Sequence, residues 1–217
     1  MMIKTAMIFA AGFGKRMGDL TARQPKPMLP LAGRPMIDYS VELLRQAGVQ
    51  RIFANTHYLP DDLEAHLDKL DVTPLREDPI LETGGGLRAA LPVLGPGPVI
   101  TMNPDVAWSG RNPVLELLSH WTSDMNALLS LSKDGSVEAD FSLIDGKIHR
   151  SGPFRYTGLQ VIRTERLSEI DKEVFSLNAY WDLLMDSGPL HGVEYSGTWT
   201  DIGTREKLEA LNRQLST

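Results

Sequence analysis

Short apolar runs alternate with amphipathic helical stretches through the first half of the chain. Residues 4–11 and 51–56 have the length and apolar composition of buried strands, and the first run ends in glycines. Residues 35–47 and 61–70 repeat apolar side chains at helical spacing, and Gly48 follows the first of these stretches as a stop signal. Parallel strands need a crossover connection, usually a helix, so this alternation predicts a parallel sheet covered by helices.

The alternation continues and then changes after about residue 133. Residues 83–91 are predicted to form a short helix that opens on three glycines, and residues 98–102 and 127–131 have the pattern of buried strands. Beyond them, shorter strands and turn signals indicate an antiparallel lobe on the same sheet. Residues 204–215 carry leucines in helical register and are predicted to close the chain as a helix.

The composition excludes several classes of function. Acidic residues exceed basic ones, 28 against 22, so the chain lacks the positive field that a nucleic-acid backbone requires. It contains no cysteine, which excludes a disulfide framework, a thiolate metal site and a cysteine nucleophile. Its apolar runs, such as residues 6–11, are far shorter than the roughly 18 residues of a membrane span. We therefore expect a cytoplasmic protein that binds neither nucleic acid nor membrane.

The segment after the first predicted strand contains a loop with two glycines, Gly12 and Gly14. Glycines let the backbone approach a ligand closely, and free amides can point at phosphate oxygens, so the loop is either a phosphate cradle or a plain turn. The dinucleotide-binding fingerprint needs a third glycine where Met17 stands and an acid where Asn55 and Thr56 stand. The Walker pattern fails as well. Hydride transfer and ordinary kinase or ATPase chemistry are therefore disfavoured.

Two cations distinguish this loop from an ordinary turn. Arg16 follows the second glycine closely, and Lys26 stands between Pro25 and Pro27. Prolines on both sides stiffen the backbone, so Lys26 is predicted to project from a fixed segment. An arginine can fork two phosphate oxygens, and a lysine supplies a point charge. The combination favours a site for phosphate groups.

Several motifs together resemble the signature of the sugar-1-phosphate nucleotidyltransferases. They span nearly the whole chain and comprise residues 9–12, Gly14, Arg16-Met17, Leu20-Thr21, Pro25-Lys26-Pro27 and residues 33–36, 82–86, 103–105 and 199–204. The resemblance implies an α/β nucleotide-diphospho-sugar transferase fold, a Rossmann-like mixed, mostly parallel sheet flanked by helices, with a small antiparallel sugar-binding lobe. Because no long linker interrupts the chain, we expect a single domain over residues 1–217, with its nucleotide-binding part at about 1–132 and its sugar-binding part at about 133–217.

The resemblance also implies a reaction, the transfer of a nucleoside monophosphate from a nucleoside triphosphate to a sugar 1-phosphate with release of pyrophosphate. The attacking phosphate oxygen is already an anion, so the protein must align two mutually repelling anions and neutralise the leaving group rather than supply a general base. Within the family, this short form looks most like enzymes of peptidoglycan recycling that use UTP and N-acetylmuramate 1-phosphate. A guanylyltransferase for mannose 1-phosphate and a non-catalytic nucleotide-binding module are the alternatives.

The same resemblance assigns the residues that carry the chemistry. Arg16 and Lys26 are the expected catalytic cations. Asp105 and Asp201 are the expected ligands of Mg²⁺, the implied cofactor, which takes one or two carboxylates together with substrate phosphates. Thr204 is a better cap for the last helix than Asp201, which would leave Asp201 free for the metal.

The remaining expected contacts concern the nucleotide and the sugar. The expected nucleotide contacts are Ala10, Ala11, Gly12, Gly14, Arg16, Met17, Lys26, Thr83, Gly84, Gly85 and Asn103. The expected substrate contacts are Glu82, Gly158 and Thr200. Pro104 departs from the family pattern, which usually has a small residue before the first metal-binding aspartate. We expect a monomer or a homodimer whose partners are these small-molecule substrates.

Overall fold

The computed structural model describes residues 3–133 and 139–215, and among these residues no helix is long and apolar enough to cross a membrane. The described strands are β1 (Thr5–Phe9), β2 (Pro30–Leu31), β3 (Arg34–Pro35), β4 (Arg51–Thr56), β5 (Thr73–Arg76), β6 (Val99–Met102), β7 (Val106–Ser109), β8 (Ala127–Lys133), β9 (Phe141–Ile144), β10 (Lys147–Arg150), β11 (Phe154–Ile162), β12 (His191–Glu194) and β13 (Thr198–Asp201). The described α-helices are α1 (Met36–Gln46), α2 (Pro60–Lys69), α3 (Glu82–Ala89), α4 (Leu91–Leu94), α5 (Pro113–His120), α6 (Leu177–Met185) and α7 (Arg205–Leu215). Short 3-10 helices cover Lys15–Thr21, Lys26–Met28 and Leu167–Glu169.

One half of the main sheet is parallel. The strands β5, β4, β1 and β6 lie side by side in that order, and each pairs with its neighbour in parallel. Helices connect them along the chain, so their carboxyl ends meet at one edge, where open α/β sheets bind ligands. The predicted parallel, helix-covered sheet is confirmed, and β5 is an additional strand that the sequence pattern did not indicate.

The other half of the main sheet is mixed. The strand β11 is antiparallel to both β6 and β8, β12 is parallel to β8, and β10 is antiparallel to β12 and β9. The antiparallel pairings confirm the predicted mixed sheet, although the parallel pair β8 and β12 was not predicted. A separate ribbon pairs β7 with β13 and sets Asp201 opposite Val106. This ribbon brings the end of the chain to the carboxyl edge of β6.

Apolar side chains cover both faces of the main sheet. Successive residues of a strand point to opposite faces, and Ile8 of β1 packs with Leu44 of α1 and Leu63 of α2 on one side. Its neighbour Met7 packs on the other side in a cluster that includes Leu184 of α6. Helices therefore cover β1 from both faces, as its continuous apolar sequence predicts.

A third, smaller apolar cluster lies beneath α7. It joins Met17 of the first 3-10 helix to Leu29 and Met36, and it includes Ile202 and Leu208 from the end of the chain. Met17 and Ile202 are almost completely buried. The cluster packs the segment after the glycine loop, which includes Arg16, against the last helix.

The start of α2 differs from the pattern of its sequence. Asp61 and Glu64 have the spacing of a capping box, but α2 begins at Pro60 without a side-chain hydrogen bond at its cap residue. Glu64 instead accepts hydrogen bonds from Arg76 Nη2, at 2.7 Å, and from Thr56 Oγ1. The Arg76 guanidinium lowers the pKa of the Glu64 carboxyl. The carboxylate thus connects α2 to the ends of β4 and β5.

Candidate active site

A cleft of about 340 Å³ opens at the carboxyl edge of the parallel strands, beyond the ends of β1 and β6 and beside the start of α3. The predicted site residues that line it are Ala10, Ala11, Gly12, Gly14, Arg16, Lys26, Glu82, Thr83, Asn103 and Asp105. The topology explains this gathering, because segments that follow parallel strands emerge at the same edge of the sheet. Residues far apart in sequence therefore share one cleft.

The two loop glycines serve different purposes. Gly14 has a φ of 63°, a left-handed conformation that favours glycine, and a Cβ there would lie 2.9 Å from the Thr21 methyl group. Gly12 has no such φ, and nothing lies within 4 Å of a Cβ built on it. The fold itself requires glycine at position 14, whereas the open space beside Gly12 belongs to the cleft.

Met17 does not face the cleft. Its side chain is 1% exposed in the cluster beneath α7, and its amide donates a hydrogen bond to the carbonyl oxygen of Gly14 at 2.8 Å. Both its side chain and its amide are therefore occupied within the protein. The structure corrects the assignment of Met17 as a nucleotide contact and makes it a core residue that supports the loop.

Gly84 and Gly85 are packing residues inside α3. Their amides both donate to the carbonyl oxygen of Phe175, at 2.9 and 3.0 Å. A Cβ at Gly84 would collide with the Phe175 ring, and a Cβ at Gly85 would collide with the carbonyl oxygen of Glu173. Gly84 and Gly85, which were expected to contact the nucleotide, are therefore corrected to packing residues. Thr83, directly before them, does line the cleft.

A lysine and an aspartate form an ion pair in the cleft. Lys26 Nζ donates to Asp105 Oδ2, and the two side chains are only 12% and 23% exposed. Lys26 begins a 3-10 helix whose cap residue, Pro25, has an extended backbone, as expected for a lysine between two prolines. Asp105 follows β6. The sequence elements that were expected to meet here do meet.

A second acid and a second cation approach the same place from the end of the chain. A Cβ built on Gly203 would lie 3.0 Å from Arg16 Nη1 and 2.7 Å from Asp201 Oδ2, so both side chains border this glycine. The amide of Ile202 donates to the carbonyl oxygen of Asp105 at 2.8 Å. Backbone hydrogen bonds therefore hold the second acid beside the first.

Asp201 is not free, contrary to expectation. Its Oδ2 accepts a hydrogen bond from Lys207 Nζ of α7 at 2.8 Å. Thr204 Oγ1 lies 3.5 Å from the amide of Lys207, in the position of the predicted cap. Asp201 and Thr200 line a second cavity, of about 500 Å³, beside α7, and Asp201 is not among the residues that line the cleft. Thr200, an expected substrate contact, thus lies outside the lining of the cleft.

The two acids have the donor chemistry of a site for a hard divalent cation, although each is paired with a lysine in this structure. Among residues 3–133 and 139–215 no three His, Asp or Glu side chains are placed to hold a metal by themselves. Mg²⁺ usually binds through one or two carboxylates and completes its shell with phosphates and water. Asp105 and Asp201 have the chemistry of those carboxylates, and the β7–β13 ribbon and the hydrogen bond from the Ile202 amide to Asp105 bring both to the same edge of the sheet.

Two buried polar residues below the cleft were not among the predicted site residues. Asn55 Oδ1 accepts from the amide of Ala10 at 2.8 Å, and Asn55 Nδ2 donates to Glu77 Oε1 at 2.7 Å. The other Glu77 oxygen accepts from the amide of Leu81 at 3.0 Å, and a Cβ on Gly86 would collide with the carboxylate. Both polar residues line the cleft. Their sequence signal is their place, at the end of β4 and directly after β5.

A third cavity, of about 320 Å³, adjoins the cleft, since Thr83 and Asn103 line both. We call it the aromatic cavity, because Phe141, Tyr156 and Trp181 form part of its wall. Burial raises the pKa of the Tyr156 phenol above its ordinary value. Polar side chains complete the wall, and they are Asp140, Arg150 and Asn178.

Gly158 acts behind Asn103. It has a φ of 86°, and a Cβ there would lie 2.9 Å from the Asn103 side chain. Its carbonyl oxygen accepts from the amide of Asn103 at 2.8 Å. Gly158 does not line the cleft or the aromatic cavity. Its expected direct contact with the sugar is corrected to a supporting contact with Asn103.

The sequence and the fold of this chain are similar to those of known nucleotidyltransferases. The sequence matches the family described as MobA-like NTP transferase domain over residues 6–193. It is 30% identical to the N-acetylmuramate alpha-1-phosphate uridylyltransferase of Caulobacter vibrioides, across 98% of this chain and 97% of the relative. The protein of the same name from Neisseria meningitidis serogroup B is also 30% identical, across 94% and 95% of the two chains. The solved inositol-1-phosphate CTP transferase from T. maritima has a TM-score of 0.81 at 18% identity, covering 100% and 97%.

The fold, the glycine loop and the paired cations and acids define a nucleotidyltransferase. More specifically, the chain belongs to the family of MobA-like NTP transferase domains, and its relatives over nearly its full length are sugar-1-phosphate nucleotidyltransferases. The nucleotide-diphospho-sugar transferase fold implied by the sequence motifs is therefore confirmed.

The contrast between Gly12 and Gly84 predicts two different defects. Gly12→Ala should leave the melting temperature unchanged, because no protein atom lies within 4 Å of the new methyl group. It should weaken nucleotide binding about tenfold or more, because the methyl group enters the open space of the cleft where we expect the nucleotide to bind. Isothermal titration with UTP and a thermal melt measure the two effects.

Gly84→Ala is the matched comparison for Gly12→Ala. It should lower the free energy of unfolding by about 1–3 kcal/mol, because the added methyl group overpacks against Phe175. A Gly12→Ala protein that melts early but binds UTP normally would contradict the assignment of this glycine to the ligand.

Proposed function

We propose that this enzyme transfers the uridylyl group of UTP to N-acetylmuramate 1-phosphate and releases pyrophosphate. The observation that carries the proposal is the meeting of Arg16, Lys26, Asp105 and Asp201 at one edge of the sheet. The two relatives that match over nearly the whole chain carry this activity in their names and support the choice of nucleotide and sugar.

The proposed chemistry needs charge and alignment rather than a base. The sugar phosphate attacks as an anion, and the leaving pyrophosphate gains negative charge, so cations in the cleft lower the barrier. Lys26, held by its ion pair, is a point charge for the phosphate groups, and Arg16 can bind two phosphate oxygens at once. The amides and open space around Gly12 allow the triphosphate to approach the backbone.

Mg²⁺ held by Asp105 and Asp201 would supply further positive charge to the phosphates and help to align them. For this binding to occur, the acids must exchange part of their present contacts with Lys26 and Lys207. The lysine released from Asp105 then stays in the cleft, next to the incoming phosphates.

The proposal assigns the two parts of one domain, residues 1–217, to the two substrates. Residues up to about 132 supply most of the nucleotide cleft, and later residues supply most of the aromatic cavity. We propose that the reaction takes place in the cytoplasm as a step of peptidoglycan recycling, by a monomer or homodimer, with Arg16, Lys26, Glu82, Thr83 and Asn103 in contact with substrates.

The activity is tested directly with purified protein. UTP, Mg²⁺ and N-acetylmuramate 1-phosphate should yield pyrophosphate and the UDP-sugar, detected by a coupled phosphate assay and by mass spectrometry. Competition among UTP, GTP, CTP and dTTP identifies the preferred base. Preference for GTP with mannose 1-phosphate would favour the guanylyltransferase alternative, and nucleotide binding without any product across a panel of sugar 1-phosphates would favour the binding module.

Lys26→Ala should lower kcat by about 10²-fold or more while the protein still folds, because a charge that acts on the transition state is lost. Steady-state kinetics and circular dichroism measure activity and folding. Lys69→Ala, an exposed lysine at the end of α2, is the control and should behave like the wild type. Equal turnover of the Lys26→Ala enzyme and the wild type would remove this lysine from the mechanism.

Asp105→Asn and Asp201→Asn should each raise the Mg²⁺ concentration needed for half-maximal activity, because each variant removes one anionic ligand. Titration of activity with Mg²⁺, and of Mn²⁺ binding by electron paramagnetic resonance with UTP present, separates metal affinity from turnover. Asp62→Asn on the exposed face of α2 is the control. If just one variant shifts the metal dependence, the metal has a single carboxylate ligand.

A further inference from the structure

The aromatic cavity holds a single cation among the described residues that line it. Arg150, the last residue of β10, is that cation, and Asp140 is the one acid of the lining. Asp140 Oδ2 accepts a hydrogen bond from the amide of Tyr156 at 2.9 Å. The cavity therefore offers a positive group and a negative group at fixed places, next to the cleft where the phosphates are proposed to react.

The Arg150 guanidinium is held in one orientation. Its Nε and Nη2 donate to Asp182 Oδ1, at 3.1 and 2.6 Å, and its Nη1 and Nη2 donate to the side-chain and backbone oxygens of Asn178, at 2.9 and 3.1 Å. It also lies 5.2 Å from the Phe141 ring centroid and 5.7 Å from that of Trp181. Guanidinium groups that are stacked and bonded in this way are already ordered when a ligand arrives.

The bonding of Arg150 leaves capacity for one more acceptor. A guanidinium has five N–H donors, and four of them donate to Asp182 and Asn178, so among residues 3–133 and 139–215 one N–H of Nη1 remains for a further acceptor. The Asp182 side chain is 64% exposed, so water and salt screen its pair with Arg150. A ligand anion in the cavity can therefore still interact favourably with the arginine.

We propose that Arg150 binds a carboxylate on the sugar and so selects acidic sugar 1-phosphates over neutral ones. The inference rests on the proposed function: N-acetylmuramate is N-acetylglucosamine with a lactyl ether that bears a carboxylate. A buried or half-buried carboxylate needs a cation or hydrogen-bond donors. Arg150 is the charged donor in the described lining, and Asp140 repels a carboxylate but accepts from sugar hydroxyl groups. The two side chains together orient the sugar ring.

A second group of cations near the cleft is the alternative place where a sugar carboxylate could bind. The cavity beside α7 is the one that Asp201 lines, and its cations are Lys133, Arg155 and Lys207. Arg155 lies next to Tyr156 on β11, and successive strand residues point to opposite faces, so the two cavities lie on opposite sides of this strand. Arg155 is therefore a matched control, because it is also an arginine and lies close to Arg150 in the sequence, but it lines the cavity beside α7 and not the aromatic cavity.

The test compares two sugars that differ only in the acidic ether. The values of kcat/KM with UTP are measured for N-acetylmuramate 1-phosphate and N-acetylglucosamine 1-phosphate, using the wild type, Arg150→Met, Arg150→Lys and Arg155→Met. Where the neutral sugar is not turned over, its inhibition constant against the acidic sugar replaces kcat/KM. Thermal melts of all four proteins check folding.

Arg150→Met should lower kcat/KM for the acidic sugar about 10- to 100-fold, the range of a hydrogen bond to a charged group, and leave the neutral sugar within about twofold. Arg150→Lys should retain more of the preference for the acidic sugar than Arg150→Met, because lysine keeps the positive charge but cannot bind a carboxylate with two parallel hydrogen bonds. Arg155→Met should keep the wild-type preference. If Arg150→Met lowers kcat/KM equally for both sugars, the defect is purely structural and the inference is overturned.

Two further results separate failure of the proposal for Arg150 from failure of the proposed function. If the wild type prefers the acidic sugar and Arg150→Met keeps that preference, or Arg155→Met loses it instead, the proposal for Arg150 is rejected while the proposed function stands. If the wild type accepts neither sugar, or prefers the neutral one, the assignment of N-acetylmuramate 1-phosphate is itself rejected, and Arg150 loses its proposed ligand.

Discussion

Opposite charges are paired in the cleft and directly beside it before any phosphate arrives. Asp105 lies against Lys26 and Asp201 against Lys207, so neither acid presents a bare negative charge to an incoming triphosphate. An unpaired acid in this half-buried place would be costly and would repel the substrate. The pairing also keeps a lysine where it is useful, because a cation that leaves its acid for a phosphate has only a short distance to move. Under the proposed function, Asp105, Asp201 and Lys26 are therefore paired in the free enzyme, and the two acids then serve as metal ligands while Lys26 contacts phosphate.

This arrangement depends on contacts between segments that are distant in sequence. Asp105 follows β6 in the parallel half, whereas Asp201 comes from β13, which pairs with β7 rather than with the main sheet. The hydrogen bond from Ile202 to the carbonyl oxygen of Asp105 fixes the two acids relative to each other. Ile202 is also buried against Met17, so the apolar cluster beneath α7 sets the position of the second acid and of Arg16 together. Damage to that cluster would displace the charges without touching any of them.

The sequence is informative where local pattern decides the structure and less so where distant contacts decide it. The strands β1, β4 and β6 follow from their apolar runs, and Lys26 between prolines is as stiff as expected. Gly84 was misinterpreted because glycine in a sequence does not tell whether its missing side chain makes room for a ligand or for Phe175, which is far away in the chain. The pairing of Asp201 with Lys207 involves residues six apart, but only the bend between β13 and α7 brings them together. The helix α6, which forms one wall of the aromatic cavity, was not predicted.

The cleft and the aromatic cavity, which the proposed function assigns to the two substrates, share a surface and are not divided at residue 132. Thr83 and Asn103 belong to the first part of the chain, yet both line the aromatic cavity as well as the cleft. Asn103 is fixed from the second part, because its amide bonds to Gly158 and the absence of a Cβ on that glycine leaves room for its side chain. It is also two residues before Asp105. A sugar in the aromatic cavity and a nucleotide in the cleft would thus meet at Asn103, with their phosphates next to Asp105 and Lys26. A reaction between two anions needs positive charge at the place where the phosphates meet.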